Sequence, residues 1–114
     1  MIAIVDYGVG NLFSLSSSVK SLGAEIRVTR DADDLRAADH ILLPGVGAFA
    51  DAMAKLEATG LVPVLSEETQ KKPLLGICLG MQLLFEKSYE YGEHAGLGLI
   101  PGAVCPLADD LADP

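Results

Sequence analysis

Short apolar runs and helix-like repeats alternate along the chain. Glycine, proline or a charged residue closes most of the apolar runs, as is typical of strands that are buried on both faces. Between these runs, apolar residues return at every third or fourth position, which predicts helices with one buried face. Strands are predicted at Ile2–Tyr7, Glu25–Arg30, His40–Leu43 and Pro73–Cys78, with a further short strand near Leu99-Ile100. Helices are predicted from Leu12 to Leu22, behind the N-cap Asn11, and at Ala48–Ala58, Leu61–Gln70 and Leu79–Lys87, with a loop and a short helical turn over Asp31–Asp39.

This order of strands and helices predicts the fold class. Strands that alternate with helices pair in parallel through right-handed crossovers, so we expect an α/β protein with an open, doubly wound, mostly parallel sheet. The length of 114 residues fits a single domain. The functional site of such a sheet lies at the carboxyl ends of its strands. Three loops are predicted at that edge, namely Tyr7–Asn11, Pro44–Gly47 and Gly76–Gly80.

The loop Gly76-Ile77-Cys78-Leu79-Gly80 has the form of a nucleophile elbow, with cysteine in place of the usual serine. A nucleophile on a sharp strand-to-helix turn has a strained backbone, so the residues two before and two after it must be very small. Both are glycine here, and we predict that Cys78 is a covalent nucleophile. The helix that follows would aim its first amide groups at the sulfur, and the amide of Leu79 would donate to an oxyanion. The alternative, a small inert cysteine in the core, is disfavoured by the two glycines.

The loop Pro44-Gly45-Val46-Gly47 also joins a predicted strand to a predicted helix. Its glycines allow the backbone to approach a ligand closely. We predict that a backbone amide of Gly45, Val46 or Gly47 supplies the second donor to the oxyanion, because the elbow requires one nearby. The alternative is an ordinary Pro-Gly turn.

The first loop, Gly8-Val9-Gly10-Asn11, resembles a phosphate-binding turn only in part. Phe13 occupies the position of the last glycine of the dinucleotide fingerprint, and no phosphate-binding lysine follows. We therefore interpret this loop as a structural turn or as a surface that faces a partner.

Composition excludes several classes of function. The chain has 16 acidic and 8 basic residues and a net charge of −8, so neither nucleic acid nor an anionic membrane is expected as a partner. Two cysteines make no disulfide framework, and the N-terminus has neither the basic nor the long apolar region of a signal peptide, so a reducing cytosol is expected. His, Cys and Asp show no metal-ligand spacing, and we expect neither a metal nor another cofactor.

A cysteine nucleophile needs a base, and neither histidine is predicted to provide it. His40 begins a strand, which is the wrong end of a parallel sheet for the site. His94 lies in a glycine-rich loop that would have to fold back towards Cys78. Cys105, beside Pro106, is interpreted as structural.

With these motifs the chain resembles the class I (triad) glutamine amidotransferases. Among them it is most similar to the glutaminase subunits of imidazole glycerol phosphate synthase. The G-I-C-L-G-M-Q segment is shared across the superfamily, whereas D-Y-G-x-G-N-L together with P-G-V-G points to this subfamily. The matching segments are Ile4–Leu12, Leu43–Phe49, Gly76–Phe85 and Gly96–Gly102.

The resemblance implies a flavodoxin-like glutaminase fold and a mechanism. Cys78 would attack the side-chain amide of L-glutamine and form a glutamyl thioester, releasing ammonia, and Gln82 matches a position that contacts glutamine. Ammonia would pass to a (β/α)₈-barrel cyclase subunit, the partner in a heterodimer that makes imidazole glycerol phosphate in histidine biosynthesis. The loop with Gly8, Gly10 and Asn11 would face that partner.

The resemblance is incomplete at the C-terminal side. The catalytic His and Glu of the family lie well downstream of the nucleophile, so we expect residues 1–114 to be the N-terminal portion of a single amidotransferase domain. Alone they should hydrolyse glutamine feebly or not at all, and they should expose a sheet edge. Three alternatives stay open: the glutaminase of another synthase, a catalytically inactive regulatory or scaffold domain, and an unrelated cysteine hydrolase.

Overall fold

The computed structural model describes residues 1–9 and 12–106, which form two sheets and five helices. The predicted elements as far as β4 are present, with small differences at their ends, where helices and strands fray. The strands are β1 (Ile2–Val5), β2 (Ile26–Thr29), β3 (His40–Leu43), β4 (Leu74–Gly76), β5 (Phe85–Ser88), β6 (His94–Ala95) and β7 (Ile100–Val104). The helices are α1 (Leu12–Ser21), α2 (Ala32–Ala37), α3 (Phe49–Ala58), α4 (Val62–Glu68) and α5 (Leu79–Leu83).

The first sheet is parallel throughout and has the strand order β2-β1-β3-β4. This confirms the predicted fold class of an open, mostly parallel sheet, and β2 lies at one edge. In the register, Ile41 lies beside Ala3 on one side and beside Leu74 on the other. Partners in a parallel register point to the same face, so these three side chains all face the core. The carboxyl ends of β1, β3 and β4 consequently lie side by side.

The core lies between this face of the sheet and the helices α2 to α5. Each of these helices contributes at least one fully buried side chain: Leu35, Phe49, Leu56, Leu65 and Leu83. Burial of a large apolar side chain stabilises a fold by about 1.5–3 kcal/mol. The packing fixes α3 and α5, and with them the two loops that precede these helices.

The opposite face of the sheet is only partly covered. Helix α1 contacts β2 but buries none of its side chains, and Leu22, predicted on its packed face, is 85% exposed. Near β4 the face is open, and Ile2, Leu42 and Leu75 line an apolar cavity of about 400 Å³. Within the described residues β4 is paired only with β3, so the sheet ends in an exposed edge, as the resemblance implied.

The prediction of one helix over Leu79–Lys87 is wrong. Helix α5 ends at Leu83, and Phe85–Ser88 forms β5, the centre of a second sheet with the order β6-β5-β7. The amide of Leu97 donates to the carbonyl of Leu83, and the amides of Leu99 and Ile100 donate to that of Leu84. These carbonyls are therefore occupied by a later segment, and the helix cannot continue through them.

Candidate active site

Cys78 lies on the turn between β4 and α5 with a left-handed backbone. Its φ is 55° and its ψ is −124°, and apart from Tyr91 it is the only non-glycine residue with positive φ in the described part of the chain. A backbone held in this region costs about 1–3 kcal/mol and is concentrated at functional sites. The residue is exposed. A strained, accessible cysteine is the arrangement that the elbow motif predicts.

The glycines around Cys78 are required by close backbone contacts. A β-carbon at Gly76 would lie 2.6 Å from the Cα of Met81, and one at Gly80 would lie 1.9 Å from the carbonyl oxygen of Leu43. Neither contact is sterically allowed, and both involve backbone atoms that cannot move aside. The spacing of two residues on each side of Cys78 therefore has the steric cause inferred from the sequence.

The amides at the start of α5 are not directed at the sulfur in this structure. Leu79 donates to the carbonyl of Gly45 at 3.2 Å, Gly80 donates to Ile77 at 3.0 Å, and Met81 donates to Cys78 at 3.0 Å. The structure thus differs from the expectation of free amides around Cys78. In particular, the Leu79 amide, predicted as an oxyanion donor, already has an acceptor.

The Pro44–Gly47 loop packs directly on the elbow. Gly45 is buried, and a β-carbon there would lie 2.8 Å from the amide nitrogen of Gly80 and 3.2 Å from the β-carbon of Leu79. Val46 and Gly47 are exposed, and Gly47 has a φ of 97° with open space around it. Two of the three loops predicted at the carboxyl edge are thereby brought into contact, with one side open to solvent.

Gln82 lies in α5, one turn after Cys78. Its Oε1 atom is buried and has no hydrogen-bond partner among the described residues. A buried polar atom without a partner is uncommon and costs about 1–3 kcal/mol. The predicted glutamine-contacting residue therefore carries an acceptor for which the described chain supplies no donor.

Tyr7 connects the first loop to the second, and the sequence reasoning missed it. The side chain is 3% exposed, and its hydroxyl donates to the carbonyl of Pro44. Burial raises the pKa of the Tyr7 hydroxyl well above its ordinary value. Of the residues predicted to face a partner, Gly8 is exposed with a φ of 88°, and Gly10 and Asn11 lie outside the described residues.

The remaining candidate side chains lie apart from the elbow. His40 is exposed at the start of β3, the end of the sheet opposite to Cys78. His94 lies in β6, where its Nε2 is 3.0 Å from the carbonyl oxygen of Tyr91. Cys105 is exposed after β7. In the described ranges no group of three His, Cys, Asp or Glu side chains could hold a metal ion, and no helix has the length and apolar character needed to cross a membrane.

Solved structures share this architecture. A crystal structure of a glutamine amidotransferase superposes with a TM-score of 0.78 over 98% of this chain and 60% of its own, at 20% identity. A putative peptidase E protein from Listeria monocytogenes superposes with a TM-score of 0.69 over 87% of this chain and 62% of its own, at 16% identity. At these identities the likeness defines the fold class: an α/β protein with a mostly parallel sheet.

The family follows from sequence. The profile of "Glutamine amidotransferase class-I" matches residues 3–96, and the chain belongs to that family. Several curated relatives are named "Imidazole glycerol phosphate synthase subunit HisH". The relative from Exiguobacterium sibiricum is 55% identical to this chain over 100% of this chain and 58% of its own length. The relative from Moorella thermoacetica is 54% identical over 99% of this chain and 54% of its own length. Membership in the family contradicts the alternative of an unrelated cysteine hydrolase.

The chain spans little more than half the length of the curated relatives that it matches. The share is 58% for the Exiguobacterium sibiricum relative and 54% for that of Lactiplantibacillus plantarum, which is 55% identical. The matched half contains the elbow and the Pro44–Gly47 loop.

Proposed function

We propose that the chain is part of the glutaminase subunit of an imidazole glycerol phosphate synthase, with Cys78 as the nucleophile that attacks L-glutamine. The observation that carries the proposal is the exposed Cys78 with its positive φ. It lies between Gly76 and Gly80, two positions at which no residue with a side chain fits. The relatives named as this subunit, at about half identical positions over nearly the whole chain, favour this synthase over others.

The proposed reaction has two steps. The Cys78 sulfur bonds to the side-chain carbonyl carbon of glutamine, and the carbon–nitrogen bond breaks to release ammonia. Water then adds to the thioester, and the carbon–sulfur bond breaks to release glutamate and the thiol. Both steps need a base. His40 and His94 do not provide it in the described arrangement, and we assign this role to the His and Glu that the family carries downstream.

Both steps also pass through an oxyanion, which requires backbone donors. The amide of Leu79 is the nearest candidate by position, but it donates to Gly45. This hydrogen bond has to open before Leu79 can bind the oxyanion. The exposed segment Val46-Gly47 is the part of the neighbouring loop with room to move. One such donor is worth about 2.7–4 kcal/mol in the transition state.

Gln82 is proposed to bind the substrate. Its buried Oε1 accepts nothing from the described residues, and the ammonium group of L-glutamine is a donor of the right kind. Binding of L-glutamine would then supply the hydrogen bond that Gln82 Oε1 lacks in the free protein. A ligand without an amino group would not supply this hydrogen bond.

The partner is proposed to be the (β/α)₈-barrel cyclase subunit of the same synthase, in a cytoplasmic heterodimer that channels ammonia. The names of the relatives support this, since each is one subunit of such a synthase. The loop with Gly8, Gly10 and Asn11 is the proposed contact surface, because its described residue Gly8 follows the end of β1, at the same sheet edge as Cys78.

Labelling of the full-length subunit, which carries the downstream His and Glu, with a glutamine-like electrophile tests the nucleophile. The chain offers an internal control, because Cys78 and Cys105 are both exposed and only Cys78 lies on the elbow. We expect 6-diazo-5-oxo-L-norleucine to modify Cys78 at least about tenfold faster than Cys105, and L-glutamine to slow only the first reaction. Iodoacetamide should modify both. Peptide mapping by mass spectrometry gives the two rates, and equal rates with no protection by glutamine would contradict the proposal.

A catalytically inactive domain of the same fold is the second candidate. The occupied amide of Leu79 favours it, because an oxyanion site that stays closed cannot support the reaction. In that case iodoacetamide would still modify Cys78, but the glutamine analogue would not. The labelling experiment therefore separates the two candidates.

A further inference from the structure

We propose that Tyr7 is a positioning residue that holds the Pro44–Gly47 loop closed on the Cys78 elbow, through its hydroxyl on the Pro44 carbonyl and its contact with Gly45. The inference rests on the proposed function only in assigning a role to that loop. The position of the loop itself is inferred only from the contacts of Tyr7, Pro44 and Gly45.

The topology brings Tyr7 to the loop. Strands β1 and β3 are parallel neighbours, and Tyr7 follows the end of β1 as Pro44 follows the end of β3. The hydroxyl of Tyr7 donates to the carbonyl of Pro44 in a buried environment. Water cannot easily replace this donor, so loss of the hydroxyl would leave the Pro44 carbonyl without its partner.

The same hydroxyl confines Gly45. A β-carbon at position 45 would lie 2.7 Å from the Tyr7 oxygen and 2.8 Å from the amide nitrogen of Gly80. Gly45 is thus enclosed between the tyrosine on one side and the elbow on the other. In this position its carbonyl accepts from Leu79 at 3.2 Å.

These contacts form one chain of dependence from Tyr7 through Pro44 and Gly45 to Leu79. The hydroxyl fixes the peptide between Pro44 and Gly45, and the next carbonyl along the loop occupies the Leu79 amide. Burial raises the pKa of Tyr7, so the hydroxyl keeps its proton and remains a donor across the working pH range. Loss of the hydroxyl should therefore free the loop and expose the Leu79 amide more often.

Amide hydrogen exchange of the full chain, followed by NMR, tests this inference without any assay of activity. In the Tyr7→Phe variant we expect the Leu79 amide to exchange about tenfold faster than in the unaltered chain, while the amide of Leu65 in α4 keeps its rate. Tyr91→Phe removes an exposed hydroxyl and is the matched control, with no change at Leu79. An unchanged rate at Leu79, or an equal rise at Leu65, would overturn the proposal.

A second measurement needs no substitution and covers the case in which Tyr7→Phe fails to fold. In the unaltered chain the Tyr7 hydroxyl proton should give a slowly exchanging resonance with a nuclear Overhauser effect to the α-protons of Gly45. Absence of that resonance would overturn the proposal. Labelling of Cys78 reports on the proposed function separately. If Tyr7→Phe accelerates amide exchange at Leu79 but the glutamine analogue does not label Cys78 selectively, the glutaminase function is refuted. Tyr7 would still be the residue that positions the loop.

Discussion

Gly80 packs against the carbonyl group of Leu43, so closely that a β-carbon at position 80 would lie 1.9 Å from the carbonyl oxygen. The contact joins the start of α5 to the end of β3. The amide of Ile77 donates to the same carbonyl at 3.0 Å, which extends the pairing of β3 and β4 up to the elbow. The conformation of Cys78 is therefore held by backbone contacts on both sides of the turn.

Gly80→Ala should destabilise the chain strongly. The new methyl group would meet backbone atoms, so α5 would have to move away from β3, and we expect the free energy of unfolding to fall by about 3 kcal/mol. Urea unfolding followed by circular dichroism measures the change. Gly60→Ala is the control, because a β-carbon there has open space and adds only backbone strain, worth about 1 kcal/mol. Equal losses in the two variants would show that the Leu43 contact is not the cause.

Gln82→Leu should separate stability from binding. The substitution removes a buried oxygen that has no partner among the described residues, so we expect the free energy of unfolding to rise by about 1 kcal/mol. Protection of Cys78 by L-glutamine against the diazo analogue should disappear, because the acceptor for the substrate is gone. Gln70→Leu, at an exposed position, should change neither quantity. A destabilised Gln82→Leu variant that glutamine still protects would contradict the assigned role.

The sequence predicts the parts of this molecule that depend on neighbouring residues. The glycines at 76 and 80 and the alternation of strand and helix are local patterns, and the elbow at Cys78 follows from them. The parallel pairing of the strands follows from the same alternation, because parallel strands need crossovers.

The parts that the sequence does not predict depend on distant residues. The run Leu83-Leu84-Phe85 fits a helix or a strand equally well. The amides of Leu97 and Leu99 decide between them, because they donate to the carbonyls of Leu83 and Leu84. The contact of Tyr7 with Pro44 joins residues 37 positions apart. The Leu79 amide likewise donates to a carbonyl of another loop, that of Gly45, so this hydrogen bond is visible only in the structure.

Lys72→Met should reveal a buried ionic contact between the Lys72 ammonium and Glu68 of α4. The Lys72 ammonium lies 3.6 Å from Oε1 of Glu68 and donates to the carbonyls of Leu35 and Arg36. Glu68 is 4% exposed, so removal of the lysine charge leaves a buried carboxylate poorly paired, and we expect a loss of about 3 kcal/mol in the free energy of unfolding.

Two further variants check the cause of that loss. Adding Glu68→Leu to Lys72→Met removes the unpaired charge and should restore much of the stability. Lys71→Met is the single-site control, because its ammonium is largely exposed and its ion pairs with Glu67 and Glu68 are worth less than about 1 kcal/mol. A double variant no more stable than Lys72→Met alone would exclude the carboxylate as the source.

Leu75→Glu should reduce self-association of the chain. Leu75 is 58% exposed on β4, which is paired on one side only in the described residues, beside an open apolar cavity of about 400 Å³. Exposed strand edges with apolar side chains favour pairing with another chain, and a charge at the edge opposes it. We expect sedimentation velocity to show concentration-dependent association of the unaltered chain and a monomer for Leu75→Glu. Leu22→Glu adds the same charge at an exposed site away from β4 and should leave the association unchanged. An unaltered chain that stays monomeric at every concentration, or an equal effect of Leu22→Glu, would exclude the β4 edge as the site of association.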